Sequence, residues 1–496
     1  MSYRSLVLLV VVLGVAAMAL RPSFDTDTWW HLRAGQWIED NRQVPRSDPF
    51  SHTMQGGPWA YPGWLAQVVM LGFYRLAGLQ GLTLFTALLV AIGLAFLWSL
   101  LDGALLMRAA VLLLAAATSA VYWAARPHVA SFALAAFFLW TLEGRRTGAR
   151  PRLIWLLPLA MALWTNVHGG FVIGFLLISM YLAGTVVDVF LIPLTGRGLL
   201  AESWRRRQAD VVALVAVSLL SLLAAGVNPH GLSILLYPIK TLSIPVLQEH
   251  IREWQSPDFQ QANLLPFLAM LVTLMAALGA SGRAASSSEL IAVGGSAAMA
   301  LFAVRNVPVF ALVAAPVICR QASAALEPIL HGFDVPATEP WRGRRLLHGF
   351  AATALILACL GWAAVQLSAK RSQDHLQSLV PLGAFDALKV ARPPGQLFND
   401  YNWGGYILWD LYPGYPSFVD GRTDVFPPRI FDDYVRLWNA RGGWESLLDH
   451  YGIGIVFVPP QAPLAEVLLR DGWDEMYRDR TSVILLRPPS GQGQAE

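Results

Sequence analysis

The sequence predicts a polytopic α-helical membrane protein with about 11 transmembrane helices and a soluble α/β domain at its C-terminal end. Three observations predict it. Hydrophobic residues make up 55% of the 496 residues and charged residues 14%, with a mean hydropathy of +0.48, a balance that a soluble multidomain chain does not keep in water. Apolar runs recur as far as about residue 368, at lengths suited to crossing about 30 Å of hydrocarbon as helices. The acidic residues are displaced toward the end, sixteen of the 33 lying beyond Lys370.

The runs lie near residues 5–21, 80–101, 104–123, 127–143, 153–166, 168–192, 209–227, 263–280, 287–304, 307–325 and 346–368. The first has the length of a signal peptide, but Arg21-Pro22-Ser23 makes a poor small-residue cleavage site, so it is expected to be retained as a span. Arginines fall in alternate connections: Arg4, Arg108, the group Arg145, Arg146, Arg150 and Arg152, then Arg197 with Arg205, Arg206 and Arg207, then Arg283, then Arg320 with Arg342, Arg344 and Arg345. Short basic loops stay cytoplasmic. With an odd number of spans the N-terminus is expected inside the plasma or inner membrane and everything after about Ser368 outside.

This reading divides the chain into a transmembrane domain over 1–368 with an external juxtamembrane loop over 21–80, an external α/β domain over 369–490 and a disordered tail over 491–496. In the external loop, Asp27–Asp40 and Trp64–Leu76 read as amphipathic helices lying on the outer surface, joined by the Pro/Gly/Ser loop PRSDPFSHTMQGGPW. In the C-terminal domain, Gln396–Asn399, Ser417–Val419, Ile453–Val458 and Ser482–Leu486 read as strands, and Pro428–Asn439 and Trp444–Tyr451 as helices. Asn402-Trp403-Gly404-Gly405 reads as a loop using glycine's backbone freedom, and Asp420-Gly421-Arg422 as a turn with an internal ion pair.

Several function classes are set aside. A net charge of +3 does not suggest nucleic acid. Cys319 and Cys359 both lie in apolar runs, which leaves no disulfide framework or thiolate metal site. There is no GxSxG elbow or phosphate-binding Walker loop, and no pair of histidines has the spacing of a zinc helix.

What stands out is a set of polar groups at the expected exterior ends of the spans: Asp25 and Asp27; Arg126 and His128; Asn166 and His168; Asn228 and His230; Glu249, Arg252 and Glu253; Arg305 and Asn306. Each has a structural reading as a snorkelling cation, a helix cap or a hydrogen-bonded turn residue. Together they are costly beside apolar helices unless they face a bundle interior or a wet cavity. A carboxylate at the membrane surface, with arginines at other helix ends, suits transfer of a sugar from a lipid phosphate to an acceptor hydroxyl. The aspartate takes the acceptor proton, and the arginines hold the departing phosphate. Asp27 is the expected base, assisted by Asp25; Arg126 and Arg305 are the expected phosphate partners, with His168, His230 and Glu249 contributing to donor or acceptor binding and His31, His128, Arg252 and Asn306 beside them. If Mg²⁺ or Mn²⁺ takes part, Asp25, Asp27 and Glu249 supply hard oxygen ligands.

DTWWHLRAGQWI, beginning at Asp27, resembles the first-loop motif of the GT-C superfamily of polytopic glycosyltransferases, in particular the oligosaccharyltransferase catalytic subunit. There an acid is followed by two aromatics and, six residues after the acid, by an arginine. The resemblance implies a polyprenyl-phosphate-linked sugar donor, the family aspartate at Asp27 and its arginine at Arg33, with Asp25 either a second ligand or a helix cap. LFNDYNWGGYI followed by PSFVDGRTD is similar in layout to the acceptor-reading segment of that subunit, but Asp400-Tyr401-Asn402-Trp403 replaces its Trp-Trp-Asp motif. The acceptor, whether glycan, lipid or protein, stays open. A flippase for lipid-linked saccharides and a non-catalytic assembly factor remain as alternatives.

Overall fold

The computed structural model describes residues 2–190, 201–244, 251–327 and 342–489; the expected tail over 491–496 lies outside them. Over the described residues, all eleven apolar runs fold as helices. In chain order the N-terminal part contains α1 (Tyr3–Ala19), α2 (Thr28–Asn41), α3 (Trp64–Leu100), α4 (Leu105–Ser119), α5 (His128–Thr147), α6 (Leu157–Val167) and α7 (Val172–Phe190). There follow α8 (Ala201–Ala225), the short α9 (Tyr237–Leu242), α10 (Leu265–Ala280), α11 (Ser287–Phe302), α12 (Val307–Ala325) and α13 (Arg342–Gln366). Among the described residues, seven helices are long and apolar enough to cross a membrane. The shortfall from eleven has local causes: α1, α6 and α11 are short, and α5 carries Glu143, Arg145 and Arg146 near its end.

Helix α12, uncharged over its first thirteen residues and rich in alanine and valine, is the buried centre of the bundle, packed by α4, α10, α11 and α5. Small side chains allow close helix approach. Helix α13 is its opposite: from Leu346 to Gln366 nearly all of its surface is exposed, and it packs along α1 before handing the chain to the C-terminal domain. The break foreseen between residues 76 and 80 is a kink inside α3, where Gly78 takes a φ of +58° that a side chain would disfavour.

The C-terminal part comprises α14 (Ala369–Leu379), α15 (Leu382–Ala391), β1 (Gln396–Asn399), α16 (Tyr401–Asp410), α17 (Pro428–Trp438), α18 (Trp444–His450), β2 (Ile453–Val458), α19 (Pro463–Arg470), β3 (Asp474–Arg478) and β4 (Val483–Leu486). The sheet order is β1-β2-β4-β3; β1 and β2 are parallel, and the other two pairs antiparallel. The central β2, IGIVFV, is buried almost throughout, as suits a strand covered on both faces.

Two expectations are corrected here. Ser417–Val419 is not a strand. The Asn399 side chain takes the backbone groups a ladder would use, accepting from Phe418 N–H (2.8 Å) and donating to the Val419 carbonyl (2.9 Å), and Ser417 keeps one isolated bridge to Ser51. Asn402–Gly405 is the first turn of α16, capped by Asp400, whose carboxylate accepts from Asn402 N–H at 2.7 Å. Its glycines are needed for proximity: a Cβ at Gly404 would fall 2.3 Å from the Val419 carbonyl oxygen, and one at Gly405 would fall 2.5 Å from that of Thr26.

The C-terminal domain is seated on the loop between α2 and α3 by Arg422, whose side chain has no exposed surface. Its Nη1 donates to Asp48 Oδ1 (2.5 Å), Nη2 to Asp420 Oδ2 (2.7 Å) and Nε to Asp420 Oδ1 (2.8 Å). The guanidinium also stands 5.1 Å from the Phe50 ring centre and 4.9 Å from that of Trp59. The expected Asp420–Arg422 pair is thus present, shared with a residue of a distant loop. At the C-terminal end of α5, across the bundle from Arg126 just before its start, a second network joins Glu143, Arg146, Glu289 and Arg320. Twenty residues of helix separate the two ends by about 30 Å, a hydrocarbon thickness. Replacing Arg422 by alanine would strand two buried carboxylates, so Arg422→Ala is expected to lower stability by about 3–5 kcal/mol. Thermal unfolding of the detergent-purified protein, with limited proteolysis reporting release of the C-terminal domain, checks this; an unchanged melting temperature would refute it.

Candidate active site

The site is built where the chain leaves α1. Asp25 Oδ1 accepts from the N–H groups of Asp27 (3.0 Å) and Thr28 (3.2 Å), which starts α2. Ala125 N–H donates to the Ser23 carbonyl (2.7 Å), and the Thr28 hydroxyl donates to the Ala125 carbonyl (3.1 Å). These bonds hold residues 23–28 against the turn before α5 and bring Arg126 between the two aspartates. Arg126 Nε meets Asp25 Oδ2 at 2.7 Å, and Nη1 meets Asp27 Oδ2 at 2.6 Å.

Glu253, from the segment before α10, places Oε2 3.7 Å from Arg126 Nη2 and Oε1 4.0 Å from Arg305 Nη1. Arg305 lies over the Trp254 ring at 3.9 Å, a favourable cation–π arrangement. Val304 N–H donates to the Gln255 carbonyl (3.1 Å) and ties the two segments together.

Three carboxylates therefore share two guanidinium groups, one negative charge in excess. Burial pushes the Asp27 carboxyl up; Arg126 opposes this, Asp25 and Glu253 add to it, and the outcome is about 7. Burial also raises Glu253, but Arg126 and Arg305 outweigh it and hold that carboxyl below its ordinary range. His31 is held well below its ordinary range by burial and by Arg126, so it is neutral. Its ring rests 3.5 Å from that of Trp30, and Gln67 Nε2 lies 3.3 Å from its Nδ1.

Two cavities meet here. A polar one of about 480 Å³ is lined by Asp27, His31, Tyr61, Arg126, Arg252 and Glu253 from the N-terminal part, and by Tyr401, Asn402, Gly421, Thr423 and Asp424 from the C-terminal domain. An apolar one of about 770 Å³ runs among the ends of α5, α7, α11 and α12, past Phe132, Ile173, Leu176, Met299 and Phe302. They share Tyr122, His128, His168, Tyr237, Thr241, Trp254 and Arg305 in their walls. His168 Nδ1 accepts from Gly170 N–H (3.0 Å) and stands 2.8 Å from the Ser131 hydroxyl, which leaves Nε2 to carry the proton. His128 Nε2 donates to the Tyr122 carbonyl (2.7 Å).

The structure thus brings together Asp25, Asp27, His31, Arg126, His128, His168, Arg252 and Arg305, and sets Asn306 in the apolar wall, where Nδ2 donates to the Met299 carbonyl (3.0 Å). Arg33 stands elsewhere, donating to Gln36 (3.1 Å) and stacked over Tyr412 at 4.6 Å. Six residues advance a helix by about 600°, so Arg33 faces away from Asp27, while His31, four residues on, shares its face. His230 lies in neither cavity wall; its N–H donates to Asn228 Oδ1 (2.7 Å) in a turn. Glu249 lies outside the described residues. Glu253 takes a central place that the sequence left unassigned, and Tyr122, Trp254, Tyr61 and Asp424 carried no signal beyond being polar or aromatic near a span or turn. For a divalent cation, the described oxygens of Asp25 and Asp27 do not form an open ligand set, since the Arg126 guanidinium bridges them. Among the described residues no group of three or more His, Cys, Asp or Glu could hold a metal ion.

No family model matches the chain, and no curated protein matches it in sequence. Solved structures do. The oligosaccharyltransferase AglB from Archaeoglobus fulgidus, in complex with an inhibitory peptide and a dolichol-phosphate, is similar with a TM-score of 0.56 over 92% of this chain and 70% of its own, at 12% identity. The oligosaccharyltransferase of the same organism tethered with an acceptor peptide gives 0.53 over 92% and 69%, at 11% identity. ArnT from Cupriavidus metallidurans, bound to undecaprenyl phosphate, gives 0.48 over 98% of both chains, at 15% identity. The archaeal likeness shows that this chain shares the fold of the Archaeoglobus fulgidus oligosaccharyltransferase.

The electrostatics of the carboxylate group can be read directly. An infrared titration is expected to contain a protonated-carboxyl band that disappears with a midpoint near pH 7 and is missing from Asp27→Asn. The same band persisting in that variant would assign the raised carboxyl elsewhere.

Proposed function

We propose that the protein is a membrane glycosyltransferase that moves a sugar from a polyprenyl-phosphate-linked donor to an acceptor hydroxyl on the external face of a plasma or inner membrane. The observation that carries this reading is the junction of the two cavities. A polar chamber holding a carboxyl with a raised pKa shares its arginine and histidine wall with an apolar chamber among the spans, as a donor with a charged head and a greasy tail requires. The archaeal structure of the same fold is a complex with a dolichol-phosphate, a ligand of that chemistry.

In this mechanism the donor tail lies in the apolar cavity, and its phosphate meets Arg305, Arg126 and the Nε2–H of His168. The acceptor hydroxyl is placed at Asp27. The acceptor oxygen bonds to the anomeric carbon as the bond from that carbon to the phosphate oxygen breaks, with inversion. The leaving electron pair goes to the phosphate, and the proton goes to Asp27. Because Arg126 pairs with Asp27, an arriving phosphate competes for the guanidinium and frees the carboxylate to accept that proton. Asp25 is a positioning residue, capping α2 and holding Arg126. Arg126 fills the space between Asp25 and Asp27, so no step is assigned to Mg²⁺ or Mn²⁺.

The test is transfer from a panel of radiolabelled polyprenyl-phosphate sugars by purified protein in lipid, with membrane extract as the acceptor source. Asp27→Asn is expected to lose about 10²–10⁴-fold in kcat, and Arg305→Ala to raise the KM for the donor more than it lowers kcat. Movement of intact lipid across vesicles, indifferent to Asp27→Asn, would favour a flippase instead. Since a base works when deprotonated, the rate is expected to rise with pH through about 7 and level off above it; a rate falling across that window would refute the role of Asp27 as base. A Cβ at Gly421 would fall 1.8 Å from Asp27 Oδ1, so Gly421→Ala is expected to abolish transfer while leaving the melting temperature nearly unchanged.

A further inference from the structure

The C-terminal domain contributes to the polar cavity a carboxylate that the chemistry above does not use. Asp424 follows the buried clamp Arg422 by two residues, and Val425 N–H donates to the Arg422 carbonyl (2.9 Å), closing a turn that presents Asp424 in the cavity wall. The nearby guanidinium of Arg422 is taken by Asp48 and Asp420, and among the described residues Asp424 has no ion pair. Beyond Arg422 and Asp420, whose charges act on it, its neighbours on this side of the cavity wall are uncharged donors and acceptors. Tyr61 and Tyr237 lie close enough for its charge to act on them, with their rings 6.4 Å apart. Tyr401, whose hydroxyl stands 3.0 Å from that of Thr423, and Asn402 complete this side. Tyr61 also feels the charge of Asp27, so it stands within reach of both carboxylates.

A carboxylate with phenols, an amide and a hydroxyl around it matches the hydroxyl groups of a saccharide, each of which donates and accepts. A phosphorylated acceptor would meet an unpaired negative charge here. A cationic acceptor would instead pair with Asp424, and binding of an amino sugar separates that case from a neutral one. We infer that Asp424 with Tyr61, Tyr237, Tyr401, Asn402 and Thr423 forms an acceptor subsite for an uncharged, hydroxyl-rich group, so that the acceptor presents a neutral sugar. This rests on the transferase reading above and names the class of acceptor it uses. Burial, which lifts the Asp424 carboxyl to about 6, is consistent with a group that exchanges hydrogen bonds with hydroxyls.

The test is binding by the full chain in detergent, followed by thermal shift and equilibrium dialysis. The probes are neutral methyl glycosides (gluco, galacto, manno and arabino), glucose 6-phosphate, glucosamine and undecaprenyl phosphate. At least one neutral glycoside is expected to bind the wild type better than the phosphorylated and amino sugars do, and to lose tenfold or more in Asp424→Ala, with Asp424→Asn intermediate. Binding of undecaprenyl phosphate, which depends on the arginine side, serves as the folding control and is expected in all three proteins. Preference for the phosphorylated or amino sugar, equal binding by Asp424→Ala, or binding of no neutral glycoside would overturn the subsite. Loss of undecaprenyl phosphate binding in the wild type would instead strike the transferase reading itself.

Discussion

One buried guanidinium carries the architecture. Arg422 sits between Asp48 of the loop joining α2 to α3 and Asp420 of its own turn, with aromatic rings beside it and no contact with water. An ion taken so far from solvent tolerates no partial pairing, so the loop and the C-terminal domain adopt one relative position. The residues on either side of Arg422 then have fixed addresses: Gly421 lies against the Asp27 carboxylate, and Asp424 faces the polar cavity. A single stretch of five residues thus takes part in both domain docking and site assembly. Trp29 reinforces the seat from α2, meeting Tyr406 and Trp409 of α16 edge-on or tilted.

The chemistry of the site follows from a charge imbalance more than from any one side chain. With Asp25, Asp27 and Glu253 arranged about Arg126 and Arg305, one carboxyl is left short of a full positive partner, and Asp27 takes that part because it is pressed by both neighbours. Asp25 is better supplied, since it also accepts from two backbone N–H groups. Two aspartates one residue apart therefore differ: Asp25 caps the start of α2, and Asp27 keeps the raised carboxyl on which the proposed base role rests. The same logic separates acid from base in many carboxylate pairs.

The apolar runs carried most of the fold, because bilayer thickness acts on short stretches of sequence that can be read one at a time. Asp25, Asp27, Arg126 and Arg305 were legible for the same reason: each is a polar group at the edge of an apolar run. Glu253 and Asp424 were harder to place, since their positions depend on how the segment before α10 and a turn of the C-terminal domain fold back over the bundle. Arg33 was placed by motif spacing, and helical rotation turns it about 120° away from Asp27, toward Gln36 and Tyr412. In the C-terminal domain, β3 (DEMYR) is an edge strand with little apolar alternation, so its sequence gives no strand period. Ser417–Val419 has the apolar character of a strand, but the Asn399 amide occupies its backbone. The packed glycines of α16 are read as a loop by any rule based on local propensity, because the backbone atoms that require them belong to Thr26 and Val419.

Helix α13 joins the two halves while touching little besides α1. Since Arg422 and the loop already determine where the C-terminal domain rests, this connector transmits no geometric instruction and acts as a greasy strut of sufficient span. Its outward side chains, such as Phe350, Leu357 and Leu360, answer only to the surrounding hydrocarbon. Sequence drift along that strut is therefore cheap, whereas a single added methyl group at Gly421 is not.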